Sequence, residues 1–459
     1  MIDAAVSAAA GLFAGYAVFA ALSGLALALS AAWIVLRHGR ELSVGAGDLS
    51  LAGRAVPPVS VVLTATEEDT DIGERLDALA ALDYPAFEIV VVSNGPIAPD
   101  LARAMARLQT QAVDLIYRPL IKTGRVTGCY HSPIASNLMV LEKERASIAD
   151  ALNAGINAAR SPYVCVVEPR TWLDRSALSR LMGPMVEDPE RVVVTAGIAR
   201  VMNGSSVRDG DVEVGSCPAH PAVAWSVLAG LRGALLAAGA SPLLGAGVGA
   251  RGGVVIHRLE ALRVGGVPPD GTAEDLAVLP WTRAGRRSAF VPLPVAWTVA
   301  PATFAGVARA HRLHAAAAFG ALRALWSRDQ RREAHGAVRH LGRFARSAWT
   351  LSAPLDLATL IVVTAAFGLG VSDFSVLLAV WVSVLVGRTA VSSAAILLHD
   401  VTPKRYPSSW DVARLFLAAV FDLTVGRLLA LWWTVSAVPC RRRASPPPVS
   451  AAATAEISG

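Results

Sequence analysis

Tyr163-Val164-Cys165-Val166-Val167-Glu168-Pro169-Arg170 is the stretch that decides how this chain is read. Its first five residues form an apolar run of the kind that makes a buried strand. Thr171-Trp172-Leu173-Asp174 follows and is expected to open a helix. Before it, Ala146 to Ala159 reads as a helix. Further back, Val59-Ser60-Val61-Val62-Leu63 reads as a strand, Ile72 to Leu82 as a helix, Phe87 to Val92 as a second strand and Ala98 to Leu108 as a second helix. Strands alternating with helices imply an α/β fold, with a mostly parallel sheet covered on both faces. Ligands in such sheets bind beyond the carboxyl ends of the strands. The positions to watch are therefore Thr64 to Glu68, Ser93 to Pro96, and Glu168 to Arg170.

The 459 residues leave room for two or three domains. Hydrophobic residues make up 54%, mean hydropathy is +0.48 and 17% of residues are charged, too apolar for an ordinary soluble protein. Membrane segments are expected. The net charge of +6 is carried almost wholly by arginine, with lysine at Lys122, Lys143 and Lys404 alone. The basic residues cluster near apolar segments. They read as contacts with a membrane surface, and nucleic acid is not expected as a partner. Cys129, Cys165, Cys217 and Cys440 are widely spaced and form no Cys-x-x-Cys pair, so neither a zinc site nor a disulfide framework is indicated. A reduced, cytoplasmic setting suits them.

Ala4 to Leu36 carries no charge and exceeds the roughly 20 residues that cross a bilayer. Arg37 and Arg40 follow directly, which places the N-terminus outside and the main domain in the cytoplasm. The expected organisation is an N-terminal transmembrane helix at 1–40, a linker at 41–56, an α/β domain at 57–302, amphipathic interface helices at 303–350, a membrane region at 351–438 and a disordered tail at 439–459. The 303–350 segment interleaves arginine and histidine with apolar residues at helical spacing, the pattern of helices lying on an anionic membrane face; the alternative is a solvated basic helix pair. In the membrane region Asp356 and Arg388 interrupt apolar runs. A charge there normally faces protein or water, so the two are expected in the bundle interior, as a pair. The last apolar stretch, Trp410 to Val438, precedes Arg441-Arg442-Arg443, and an in-plane or re-entrant helix keeps that triplet cytoplasmic. The setting implied is a multi-pass protein of the cell membrane.

Several further blocks fall in a telling order. They are Leu82-Asp83-Tyr84-Pro85-Ala86-Phe87-Glu88-Ile89-Val90-Val91-Val92, Ala149-Asp150-Ala151-Leu152-Asn153-Ala154-Gly155-Ile156-Asn157-Ala158-Ala159, Asp188-Pro189-Glu190-Arg191-Val192 and Ala296-Trp297-Thr298. Over residues 57 to 315 the chain resembles family-2 glycosyltransferases of the GT-A fold. Within them it looks most like the membrane-bound synthases of the poly-N-acetylglucosamine, cellulose and hyaluronan type. The resemblance implies a nucleotide sugar as donor substrate, a glycan acceptor and a divalent metal, Mg2+ or Mn2+.

Carried over residue by residue, the resemblance puts Glu67 and Glu68 after the first strand, where a carboxylate can reach the donor. Asn94 stands where the family has an aspartate that holds the base, and offers an amide to a base edge. Ala146-Ser147-Ile148 stands where the family has Gly-Gly-Lys, so that lysine is missing. Glu168-Pro169-Arg170 stands in the Asp-x-Asp slot. Glu168 can supply one metal ligand, but Arg170 repels a cation there; its guanidinium can instead replace the metal at the diphosphate. The other reading is a local Glu168–Arg170 ion pair in a disused pocket. Thr272-Ala273-Glu274-Asp275 matches the block whose last aspartate is the general base, giving Asp275 that role with Glu274 beside it. The alternative is two carboxylates at a helix N-terminus. Arg309-Ala310-His311-Arg312-Leu313-His314 stands for the acceptor-side Gln-x-x-Arg-Trp. Arg312 and His314 are the candidate contacts, and the glutamine and tryptophan are gone. Gly247-Val248-Gly249-Ala250-Arg251-Gly252 formally fits G-x-G-x-x-G but opens no helix after a strand, so no dinucleotide site is assigned.

Two functions follow. One is sugar transfer from a nucleotide sugar in polysaccharide or cell-envelope glycan synthesis. The other is a catalytically degenerate homologue that serves as scaffold or regulatory subunit of an active partner synthase.

Overall fold

The computed structural model describes residues 2–44, 56–67, 69–114, 119–208, 210–244, 254–267, 286–326, 352–402 and 404–440. Its strands are β1 (Val59–Ala65), β2 (Phe87–Asn94), β3 (Gln111–Ala112), β4 (Val126–His131), β5 (Leu138–Lys143), β6 (Tyr163–Val167), β7 (Thr171–Leu173), β8 (Val192–Val201), β9 (Ser206–Arg208), β10 (Asp211–Glu213), β11 (Val254–Arg258) and β12 (Arg287–Thr298). The helices are α1 (Ile2–Val44), α2 (Ile72–Ala80), α3 (Pro99–Arg107), α4 (Ile148–Ala158), α5 (Ala177–Glu187), α6 (Pro221–Leu244), α7 (Leu259–Gly265), α8 (Phe304–Trp326), α9 (Ser352–Gly368), α10 (Phe374–Val401), α11 (Ser409–Phe421) and α12 (Arg427–Cys440). A π-helical turn, Asp422–Gly426, joins the last two.

One large sheet runs in the order β3-β4-β5-β2-β1-β6-β11-β8-β12-β7. Its pairings set β3, β5, β2, β1, β6, β8 and β12 in one direction, against β4, β11 and β7. The fold is therefore α/β with a mostly parallel central sheet. All of β1 is buried, which its near-continuous apolar sequence requires of a strand covered on both faces. Val59, Val61 and Leu63 pack with Ile72 and Leu76 of α2 and Leu101 of α3. Val62 packs on the opposite face with Leu152 and Ile156 of α4. Gly155 lets α4 lie close: a Cβ there would sit 2.3 Å from a Val62 methyl.

Thr171-Trp172-Leu173, expected to open a helix, is instead strand β7, and α5 begins only at Ala177. The cause is long-range. Trp172 pairs with Trp297 and Leu173 with Ala296 of β12, and both side chains are buried.

Among the described residues, three helices are long and apolar enough to cross a membrane: Val6–Ser30, Phe374–Val401 and Ser409–Ala437. The last, expected as an in-plane or re-entrant helix, has a helical run of 29 residues through the π turn. The apolar helix α6 packs against α1, α10 and α11. α1 and α10 touch through small residues; a Cβ on Gly387 would lie 2.7 Å from the Ala21 Cα.

The expected Asp356–Arg388 pair forms. Arg388 Nε donates to Asp356 Oδ2 at 2.8 Å, and both residues are buried. The Arg427 guanidinium reaches the same oxygen, and the Tyr16 hydroxyl donates to Oδ1 at 2.8 Å. One carboxylate on α9 thus gathers α1, α10 and α12. Beside it, Arg232 of α6 pairs with Asp422 at 2.7 Å and donates to the Ser392 hydroxyl at 2.7 Å. Removing the acid from a buried pair leaves an uncompensated charge and costs about 3–5 kcal/mol. Asp356→Asn is therefore expected to lower the thermal unfolding temperature of the detergent-solubilised protein sharply. Exchanging Asp356 and Arg388 should rescue only part of the loss, because a guanidinium at 356 would meet Arg427. An unchanged unfolding temperature in Asp356→Asn contradicts this account.

Candidate functional site

β1 has parallel neighbours on both sides. Leu63 lies level with Val91 of β2 and with Val167 of β6. The chain thus leaves β1 toward one side of the sheet and returns to it from the other. That is a topological switch point, where open α/β sheets hold ligands beyond their carboxyl ends. Three segments emerge there together: Thr66-Glu67 after β1, Asn94 to Pro96 at the end of β2, and Glu168 to Arg170 after β6.

Glu67 is exposed and pairs with Arg145 at 2.6 Å. An exposed pair of this kind is worth under about 1 kcal/mol, so a ligand can compete for either partner. Asn94 is buried and its carboxamide is engaged with the chain itself. Its Nδ2 donates to the Ala146 carbonyl and its Oδ1 accepts from the Ala146 amide, each at 2.9 Å. It ties the end of β2 to the entrance of α4, where the sequence suggested contact with a base edge. Ser147 caps α4 by accepting from the Asp150 amide. The lysine absent from Ala146-Ser147-Ile148 has a neighbour in Lys143, at the end of β5. Its ammonium is fully buried, 2.6 Å from Asp150.

Pro169 and Arg170 make a tight turn. Arg170 takes φ +58, a left-handed backbone that costs a residue with a Cβ roughly 1–2 kcal/mol, and its side chain is exposed. The turn holds a guanidinium over the end of β6. Beneath it lies a residue the sequence reading did not single out. Arg75 of α2 is 1% exposed, with its guanidinium 6.0 Å from the Trp172 ring centroid. Its nitrogens find no hydrogen-bond partner among the described residues. Burial pulls the Arg75 pKa down, while Asp71 and Asp69 pull it back up. Burial likewise raises Asp71, against the pull of Arg75. The signal was available in sequence: an arginine at the apolar-facing position of Ile72-Gly73-Glu74-Arg75-Leu76.

Among the described residues, the donor set here does not fit a divalent ion. Glu168 is the one carboxylate of its triplet, and Arg170 stands two residues on with the wrong charge. No group of three His, Cys, Asp or Glu side chains among the described residues could hold a metal. Glu68, Glu274 and Asp275 lie outside the described residues. Arg312 and His314 are exposed on α8; His314 lines a cavity between the end of β12 and the apolar helices.

The sheet edge is strapped to the loop after α10. Asp174, just past β7, sits 2.8 Å from Lys404 and 3.3 Å from Arg180. Arg200 of β8 donates to the Lys404 carbonyl at 2.5 Å and also to the Thr402 hydroxyl. Burial brings Arg200 down to about 10.

No family model and no curated protein matches the chain. Among solved structures, it is similar to mannosyltransferase PcManGT from Pyrobaculum calidifontis in complex with GDP-Man and Mn2+, at 15% identity and TM-score 0.45. That match covers 93% of this chain and 98% of the other. It is similar to S. aureus TarS 1-349 at 16% identity and TM-score 0.37, covering 79% and 90%. A third is glucosyl-3-phosphoglycerate synthase from Mycobacterium tuberculosis, at 17% identity and TM-score 0.32, covering 54% and 73%. These TM-scores lie below 0.5, so the site is read from its own geometry.

Two outcomes are expected. Because the left-handed turn suits glycine and not alanine, Arg170→Gly should be more stable than Arg170→Ala by about 1 kcal/mol in thermal unfolding. Equal stability contradicts the strained turn. Burial pushes the Asp174 carboxyl up, but Lys404 and Arg180 outweigh it and hold it below the ordinary value. A depressed acid stabilises the fold fully above its unfolded pKa of about 3.9 and loses that contribution as pH falls through the folded value. Lys404→Met should therefore move acid unfolding to higher pH, and an unmoved midpoint argues against the strap.

Proposed function

We propose that this is a membrane-anchored glycosyltransferase that transfers sugar from a nucleotide sugar in polysaccharide or cell-envelope glycan synthesis. The observation that carries the reading is the switch point at β1, with Glu67, Glu168 and Arg170 following adjacent parallel strands. In this reading the donor diphosphate lies over the Glu168–Arg170 turn. Arg170 offers a planar fork that matches phosphate oxygens. It supplies the positive charge that favours departure of the diphosphate, the electrostatic share of catalysis. Glu67 and Arg145, released from each other, face the donor's polar groups. Asp275 takes the proton of the acceptor hydroxyl as that oxygen attacks the anomeric carbon from the side opposite the departing diphosphate. Glu274 stands beside it. The result is inversion.

The motif order in the sequence supports the assignment of Asp275, and three apolar helices support anchoring; Arg37 and Arg40 after the first apolar run support a cytoplasmic α/β domain. The division into an N-terminal span, an α/β domain, interface helices and a C-terminal membrane region belongs to the same proposal.

A second reading has its own observations. Asn94 is bonded to the chain, Lys143 is buried on Asp150, and the metal slot carries an arginine. On these grounds the chain would be a degenerate transferase held as scaffold or regulatory subunit of an active synthase.

Calorimetric titration of the detergent-solubilised protein with a panel of nucleotide-diphosphate sugars, with and without Mn2+, separates the two. The transferase reading expects saturable binding that is independent of Mn2+ and at least ten-fold weaker in Arg170→Ala. No binding by any donor supports the scaffold.

A further inference from the structure

A cavity of about 300 Å3 opens where the end of β12 meets the apolar helices. Its wall takes Thr298 from β12, Trp225 and Arg232 from α6, His311 from α8, Asp422 from the π turn and Arg427 from α12. Valine and alanine side chains make most of the rest. The volume falls at the small end of ligand pockets, which span about 300–1,000 Å3. It suits a headgroup better than a whole nucleotide sugar.

The charges on this wall point to an anion. The Arg232 and Arg427 side chains are 2% and 6% exposed, so both guanidiniums are more than nine-tenths buried. Asp422 already accepts from Arg232 at 2.7 Å and from the Trp225 indole at 2.6 Å. Arg427 has only a share of a carboxylate, since Asp356 also takes Arg388 and the Tyr16 hydroxyl. Its Nε finds no hydrogen-bond partner among the described residues. A buried donor left open costs about 1–3 kcal/mol, which an incoming oxyanion recovers. An arginine fork matches phosphate oxygens in particular.

The surroundings point to a lipid as the bearer of that phosphate. Leu428, Trp432 and Val435 on the same helix as Arg427 are 59%, 70% and 60% exposed, an outward apolar strip on another face of that helix. Headgroup charge and acyl chains would each find their own surface within one helix of one another.

We propose that this cavity holds the phosphate of an anionic membrane lipid, with its chains along the outer face of α12. The proposal rests on the membrane reading above and is independent of the donor site.

The test uses the full chain, purified in neutral detergent, and three probes: dioleoyl phosphatidic acid, dioleoylglycerol with the same chains and no phosphate, and inorganic phosphate. Binding is read by native mass spectrometry across a concentration series. Phosphatidic acid should bind at least ten-fold tighter than dioleoylglycerol. Ala229→Phe fills the cavity and leaves each charge in place, and should lose that advantage with the fold intact by thermal unfolding. Arg427→Gln should lose it too. Equal binding of the two lipids, or an unaffected Ala229→Phe, overturns the proposal. Inorganic phosphate binding as tightly as phosphatidic acid supports an anion site and overturns its lipid source. Flotation with neutral phosphatidylcholine vesicles checks membrane association separately. A chain that floats yet shows no phosphate preference refutes this site alone.

Discussion

β1 is bonded in parallel to β2 on one side and to β6 on the other, and the rest of the α/β domain follows from that double pairing. Two parallel neighbours demand crossovers, so α2 and α4 must cover opposite faces and β1 must be apolar on both. The divergence of the chain at β1 then leaves an opening at the carboxyl ends that no covering helix fills. Residues placed there face one another whatever their chemistry. Glu67, Asn94 and Glu168 to Arg170 inherit their meeting from the sheet. What they do depends on which of them remain available. Asn94 is bonded to the Ala146 peptide, Glu67 is held loosely by Arg145, and Arg170 stands out on a strained turn.

The apolar helices are organised by a different constraint. Charges placed among apolar side chains must find partners there, because water does not reach them to lower the cost. Asp356 gathers Arg388, Arg427 and Tyr16, and Asp422 gathers Arg232 and Trp225. These two clusters fix how α1, α6, α9, α10 and α12 sit around one another more specifically than apolar contact could. The helices are joined to the sheet by Lys404 on Asp174 and by Arg200 on the loop after α10. A shift of α10 would therefore be felt at the end of β7, a few residues from the Glu168–Arg170 turn.

The alternation of strands and helices was legible because period and burial are local properties. The strand at Tyr163–Val167 and the helix at Ile148–Ala158 sit within two residues of their expected places. Trp172 was misread because nothing nearby announces its partner, Trp297, more than a hundred residues on. The Asp356–Arg388 pair could be inferred from cost alone, since two opposite charges in apolar runs have few other destinations. The third cation, Arg427, could not, because its run carries several charges and sequence does not say which turn inward. At the strand ends the sequence supplied the cast, Glu67, Asn94, Glu168 and Arg170. It did not reveal that Asn94 is spent on a backbone peptide or that Arg75 lies buried under Trp172. Both facts depend on side-chain direction across elements, which spacing does not encode.

The central claim is that the end of β6 binds a donor diphosphate with an arginine where a metal would be expected. The most direct measurement is an experimental structure of the protein in lipid nanodiscs with a millimolar nucleoside diphosphate and no added divalent cation. The account predicts the diphosphate beyond the carboxyl ends of β1 and β6, with its oxygens within hydrogen-bond distance of the Arg170 guanidinium. A diphosphate bound elsewhere, or a strand-end opening that stays empty under these conditions, would contradict it.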